Sequence, residues 1–306
     1  MGFIINYWSG LLNNKVVLDL LLSWMNTVFP VYVFVVCSRF TFKELAGEIL
    51  DNRWLMLKIL LVSGVLIPLA TAGILKIMTV PLMLGGIMLI ASTAPGDPFD
   101  LVEAHGKKGG LLMATVVMLL LVLLMPLTVP CWMSVFTKWF PLHLSVSPLG
   151  IFMAVAPKVI PPLLLAIVLH KLWPSVTEKL VKILHAYFKI SCILLAIFFA
   201  PFAVGKILYT FTPAGWLAMF IVTTITIFTG YYLGDSGRKE RISIALSLSL
   251  GNMAAVMFIS FHCYPKMNLP DFLITVLGWV VLRWLIIWLW YFFLKFRLYK
   301  KGEALS

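Results

Sequence analysis

The chain has 306 residues, of which 62% are hydrophobic and 12% charged, with a net charge of +12 and a mean hydropathy of +1.03. Soluble domains carry about 25% charged residues, and here runs of about 20 apolar residues recur along the whole length, which is the signature of a polytopic all-α membrane protein. The basic excess does not mark a nucleic-acid partner, because the charges cluster in short segments between apolar runs.

In chain order, residues 1–14, with Tyr7 and Trp8, read as an interfacial segment. They lack the basic start and small-residue cleavage site of a signal peptide. Nine spans are predicted over 15–38, 54–75, 79–101, 109–136, 151–171, 184–205, 213–234, 241–262 and 270–296, followed by a basic tail over 297–306.

The loop charges predict an orientation. Alternate connections and the tail hold fifteen Lys and Arg: Arg39, Lys43, Arg53, Lys107, Lys108, Lys171, Lys179, Lys182, Arg238, Lys239, Arg241, Lys295, Arg297, Lys300 and Lys301. The other side holds five: Lys15, Lys76, Lys138, Lys206 and Lys266. Basic short loops stay cytoplasmic, so the C-terminus is expected inside and the N-terminus outside the cell membrane (inner or plasma). Four cations fall within spans. Lys58, Lys158 and Lys189 are near enough to span ends to snorkel. Arg283 is mid-span, where it is expected to pair with a carboxylate or stack on Trp284 or a neighbouring ring.

Cys37, Cys131, Cys192 and Cys263 show no CxxC spacing, and three lie in apolar runs, so they read as small buried thiols rather than a disulfide framework. His105, His143, His170, His185 and His262 show no metal-binding spacing. No cofactor motif and no catalytic cluster of His, Asp, Glu or Cys occurs, and an enzyme is not expected.

Two interruptions carry the functional signal. In Leu89–Leu101, an apolar run meets Pro95-Gly96-Asp97-Pro98, with Asp100 beyond. Two prolines remove amide donors and Gly96 permits a tight turn. Only about fifteen residues separate Thr79 from Pro95, short of the roughly 20 needed to cross, so the break is expected inside the membrane. Non-helical backbone survives there only when buried in protein or lining a wet cavity. The second interruption is Gly251-Asn252 in the middle of span eight, with Ser247 and Ser249 before it. Broken segments at matching places in two halves point to a transporter's midplane site, where half-helix ends offer partial charges to a ligand. The candidate substrate- or ion-binding residues are Thr93, Pro95, Gly96, Asp97, Asp100, Ser247, Ser249, Gly251 and Asn252. Asp97 and Asp100 either cap the half-helix resuming at Phe99 or form a proton or cation site, since a carboxylate partly withdrawn from water can load and release a proton.

The order of the spans resembles the bile acid:sodium symporter family across residues 22–296. The likeness rests on Pro95-Gly96 at the end of span three, on the Leu169–Leu180 stretch LHKLWPSVTEKL after Pro161-Pro162, and on the polar break of span eight. The resemblance implies an inverted-repeat fold with 15–136 as the first repeat and 151–296 as the inverted second. It further implies a core domain of spans two to four and seven to nine, a panel domain of spans one, five and six, and two discontinuous helices crossing in the core. It also implies places for sodium ligands, and this chain departs from them. Asp100 and Leu101 stand where the family has Ser and Asn. Ser247 and Gly251 replace a Glu and a Gln, Ala114 and Met118 replace polar groups in span four, and Asn252 alone remains.

The expectation is therefore a secondary transporter of a small organic solute, an organic anion among the candidates, working by core-against-panel movement. Its partners are the solute, the lipid bilayer and at most a coupling ion, H+ or Na+, with family-type sodium coupling not expected. The alternatives are an auxin-efflux-like or arsenite-efflux-like carrier, or a non-transporting membrane receptor or assembly subunit.

Overall fold

A computed structural model describes residues 15–38, 41–94, 108–140, 148–210, 212–234, 238–249, 256, 259 and 269–299. Every element among them is helical. The helices are α1 (Lys15–Cys37), α2 (Phe42–Asp51), α3 (Arg53–Leu61), α4 (Ile67–Ile77), α5 (Leu82–Thr93), α6 (Lys108–Trp139), α7 (Pro148–Leu172), α8 (Pro174–Thr210), α9 (Pro213–Leu233), α10 (Arg238–Ser249) and α11 (Leu269–Tyr299), with a π-helical turn, Val62–Leu66, joining α3 to α4.

Among the described residues two rods are long and apolar enough to cross a membrane: Arg53–Ile77, which is α3, the π turn and α4 together, and α9. A third forms if the bent pair Leu119–Met125 and Leu127–Trp139 of α6 is one span. Its 53° bend falls at residue 126, a proline, which supplies no amide to the preceding turn. Shorter apolar helices cover Asn26–Val35, Leu82–Thr93 and Gly278–Phe293.

The surface of the bundle is apolar as well as its centre. On α11, Val281, Leu285, Leu289 and Phe292 are exposed along one stripe, while Leu282, Ile286 and Ile287 are buried on the opposite face. A helix apolar all round suits a membrane span. The main core gathers around α5, whose Leu84, Ile87, Leu89 and Ile90 are fully buried. It is joined by Tyr32 and Phe34 of α1, Met125 and Phe136 of α6 and Trp279 of α11.

The packing pairs define the arrangement. The Arg53–Ile77 rod packs on α5, α6 and α9; α5 packs on α6 and α11; α9 packs on α10 and α11; and α10 packs on α6. A second group, α1, α7 and α8, is mutually packed and touches the first through α7 on α6, α1 on α6 and α8 on α11. Polar links tie α1 to α8: Trp24 Nε1 donates to Ser191 Oγ at 3.1 Å, and the hydroxyls of Thr27 and Tyr187 lie 3.2 Å apart.

Three features differ from the sequence expectation. First, the connection after the first span folds as α2, an amphipathic helix whose Leu45 joins a cluster with Met56, Val116 and Leu248. Its start is a capping box: Glu44 N–H donates to Thr41 Oγ1 at 3.3 Å, and the Glu44 carboxylate accepts from Thr41 N–H and Oγ1 at 2.8 Å each. Second, the predicted loop after span five is helical. α8 is one helix of 37 residues, about 55 Å long at 1.5 Å per residue, and Glu178 and Lys182 pair on its exposed first turns at 2.9 Å. Third, of the thiols read as buried, Cys37 is buried but Cys131 is exposed, an apolar run being no guide to which face of a helix a residue takes.

Candidate functional site

Pro95, Gly96, Asp97, Asp100, Gly251 and Asn252 lie outside the described residues. The structure does describe the approaches to both interruptions. α5 ends at Thr93, and Ala94 leaves the helix with φ −120° and ψ 60°. Its 12 residues span about 18 Å, well short of a bilayer core of about 30 Å. The helix end is buried: Thr93 is 2% and Ala94 0% exposed. Thr128 Oγ1, reaching from α6, makes a long contact of 3.5 Å with the Thr93 carbonyl, one of the acceptors that a helix end leaves unpaired.

The hydroxyls of the approach serve the backbone first. Ser92 Oγ donates to Leu89 O at 2.7 Å and Thr93 Oγ1 to Ile90 O at 2.8 Å. On α10, Ser249 Oγ donates to Leu246 O at 3.1 Å. Each hydroxyl keeps lone pairs to offer a ligand. Ser247 and Ser249 are fully buried. α5 and Val256, which follows the second interruption, belong to one core cluster, whereas Leu248 belongs to another with Leu55 and Val117.

Beside the end of α5 the structure opens a crevice. Ile67 of α4, Met88 and Ser92 of α5, Thr223 of α9, and Trp279 and Arg283 of α11 line it, and it has room for about one water-sized guest. Arg283 is only 7% exposed. Its guanidinium stacks on Trp279, one turn back on the same helix, at 4.8 Å from the ring centroid. Of the two partners expected for it, the ring is found, though it is Trp279 rather than Trp284. The carboxylate is not found among the described residues, and Nε is buried there without a hydrogen-bond partner. A desolvated cation–π contact is worth about 2 kcal/mol, and burying an ion costs several. Stacking alone therefore leaves the charge underpaid.

The other cations predicted to lie within spans are less demanding. Lys58 and Lys189 are exposed, as snorkelling requires. Lys158 is half-buried on α7 and its Nζ donates to Asn26 Oδ1 of α1, so it binds α1 to α7 instead of merely reaching for solvent. Among the described residues no group of His, Cys, Asp or Glu is placed to hold a metal.

Sequence reasoning singled out Arg283 but missed Ser92, Thr223 and Trp279. The signal for Thr223 was present in the run Thr223-Thr224-Ile225-Thr226, polar residues inside an apolar span. Thr223 and Thr226 are buried, and Thr224 Oγ1 accepts from Trp290 Nε1 of α11 at 3.0 Å. The Trp279–Arg283 spacing of four was legible as a same-face pair.

Comparison with protein-family models and with curated protein sequences returns no match for this chain.

Proposed function

We propose that the protein is a nine-span secondary transporter of a small organic solute, built as an inverted repeat in which one group of helices moves against the other. The observation that carries this reading is α5, an apolar helix too short to cross a bilayer, ending buried in the bundle just before Pro-Gly-Asp-Pro. A helix that stops inside the membrane region needs buried backbone or a wet cavity at its end, and transporters use both.

The packing pattern supports the repeat. An inverted repeat relates α1 to α8, the Arg53–Ile77 rod to α9, α5 to α10 and α6 to α11. Under that exchange the rod–α5 contact maps onto α9–α10, α5–α11 onto α10–α6, rod–α6 onto α9–α11, and α1–α6 onto α8–α11, and all of these contacts are present. The two packed groups have the membership that a core and a panel would need under this reading.

Side-chain contacts support alternating spans, while the loop charges alone orient the N-terminus outside. Lys76 stacks on Trp139 at 5.3 Å, joining two ends assigned to the outer side. Gly215 lies against Leu84 and Pro81, again two outer ends. Leu45, Met56 and Met113 share a cluster at ends assigned to the cytoplasm.

The test is flux. Organic acids that raise the melting temperature of the purified protein are loaded into proteoliposomes, and their exchange is measured. Transport of at least one, saturable and protein-dependent, is the expected result. Stabilising ligands that never cross would overturn the reading.

A further inference from the structure

We infer that the Arg283 crevice is an anion site, taking a single small monatomic anion, chloride rather than a polyatomic oxyanion. Binding needs nothing from the transport reading; a role as a co-transported ion rests on it.

Three observations carry the inference. The first is the buried charge itself: a guanidinium lining a crevice, with an aromatic ring on one face and no carboxylate within pairing distance among the described residues. Arginine stays charged in proteins, and among the described residues nothing neutralises it, so a bound anion would supply the missing charge. The second is the donor set. Thr223 lines the same crevice, and hydroxyl and guanidinium donors together suit one negative charge. The Ser92 proton is committed to Leu89 O, so Ser92 adds no donor. Ile67, Met88 and Trp279 form apolar walls, which strongly hydrated oxyanions such as sulfate tolerate poorly because their remaining oxygens would go unpaired. The third is size: the crevice has room for about one water-sized guest, which leaves no place for a polyatomic oxyanion and favours a monatomic one.

Full-length protein in detergent, held at constant sodium and ionic strength, is titrated from gluconate into chloride, bromide or formate, and the melting temperature is followed. A ligand that binds only the folded state raises it in a saturable way. Chloride and bromide are expected to do so, and gluconate to be inert. Arg283→Gln is expected to weaken the chloride response about 10- to 100-fold, the worth of a charge-assisted bond. Arg283→Lys should keep part of the response, because the charge remains but the planar fork is lost. Should Arg283→Gln fail to fold, Thr223→Val tests the same site, with an expected loss of about fivefold. A chloride response unchanged in Arg283→Gln and Thr223→Val, no anion response at all, or a response confined to formate would each overturn the assignment. Flux in proteoliposomes is scored separately. Chloride binding without solute flux removes the transport reading and leaves the site, whereas solute flux without chloride binding does the reverse.

Discussion

The indole N–H of Trp132 on α6 donates to the carbonyl of Gly64, in the π-helical turn between α3 and α4, at 2.6 Å. The reason lies four residues on. In an α-helix the donor to the Gly64 carbonyl would be the amide of residue 68, and residue 68 is a proline with no amide hydrogen. The chain widens into a π turn there, with Ile67 N–H reaching back to Val62 O, and a side chain from another helix supplies the missing donor. π turns often mark functional segments; this one also fixes α6 against the rod.

Trp132→Phe keeps the ring stacked on Phe136, at 5.2 Å between centroids, but removes the donor. The expected cost is about 1 kcal/mol, up to about 3 if the carbonyl finds no replacement, seen as a melting temperature lower by about 2–4 °C for each kcal/mol. In a Pro68→Ala background the helix provides its own donor, so the same substitution should cost less. A double-mutant cycle in detergent measures the difference, and equal costs in both backgrounds would exclude this account.

Gly230 on α9 faces α10 so closely that an added Cβ would sit 2.6 Å from Ala245 Cα and 3.0 Å from its amide nitrogen. Backbone cannot swing aside, so Gly230→Ala has to part the helices, at a cost of about 1–3 kcal/mol. At Gly73 nothing lies within 4 Å of such a Cβ, and Gly73→Ala is expected to be neutral or to gain up to about 1 kcal/mol from helix propensity. Thermal melts of the two variants decide it.

Thr41 and Glu44 give a pH prediction outside the spans. The hydrogen bonds from the Thr41 backbone and hydroxyl hold the Glu44 carboxyl below its ordinary value of 4.5. A depressed carboxylate stabilises the fold above its unfolded value, and that contribution disappears as pH falls through the folded one. The protection factors of amides 42–45, that is, exchange corrected for its intrinsic pH dependence, should therefore be flat from neutral pH down to about 5 and decrease below pH 4.5. Thr41→Ala should raise exchange at all pH values, since a lost N-cap costs about 1 kcal/mol, and should flatten the acid step. Glu44 is almost fully exposed, so the effect is local.

The transport reading predicts weak sodium dependence. Leu101, Ala114, Met118, Ser247 and Gly251 offer one side-chain oxygen where the resembling family places five polar groups, and a hard cation needs several. Flux under an imposed sodium gradient at clamped pH and voltage should change little. If a carboxylate couples instead, Asp100→Asn should abolish concentrative uptake while exchange persists. Asp97→Asn should be milder, an Asn cap being about as good as Asp. A steep, saturable sodium response would refute this.

The helical class was readable because apolar runs of spanning length are a one-dimensional signal, and the predicted starts near 54 and 213 fall within a residue of Arg53 and Pro213. The end of α5 was readable for a chemical reason, since Pro95-Gly96-Asp97-Pro98 sets two residues without an amide hydrogen around a glycine. The crevice was not. Its residues come from four helices, and that meeting is a property of packing, which no local pattern around Arg283 encodes. The Asn26 partner of Lys158 was hidden for the same reason, 132 residues away in the chain. α2 carries a capping signal in Thr41-x-x-Glu44, but Arg39, Lys43 and Arg53 give the same segment the charge pattern of a loop.

Between α7 and α8 a single residue, Trp173, is not helical, and even it is tied in: its N–H bonds to Leu169 O at 2.8 Å and its carbonyl accepts from Thr177 at 2.9 Å. Leu172 and Pro174 are two Cα steps apart, a tether of about 7 Å fully stretched. That joint has no slack. Whatever displacement carries α8 past its neighbours must carry the end of α7 with it, so any shear in the molecule has to be taken up at seams that no short tether bridges, such as α8 against α11.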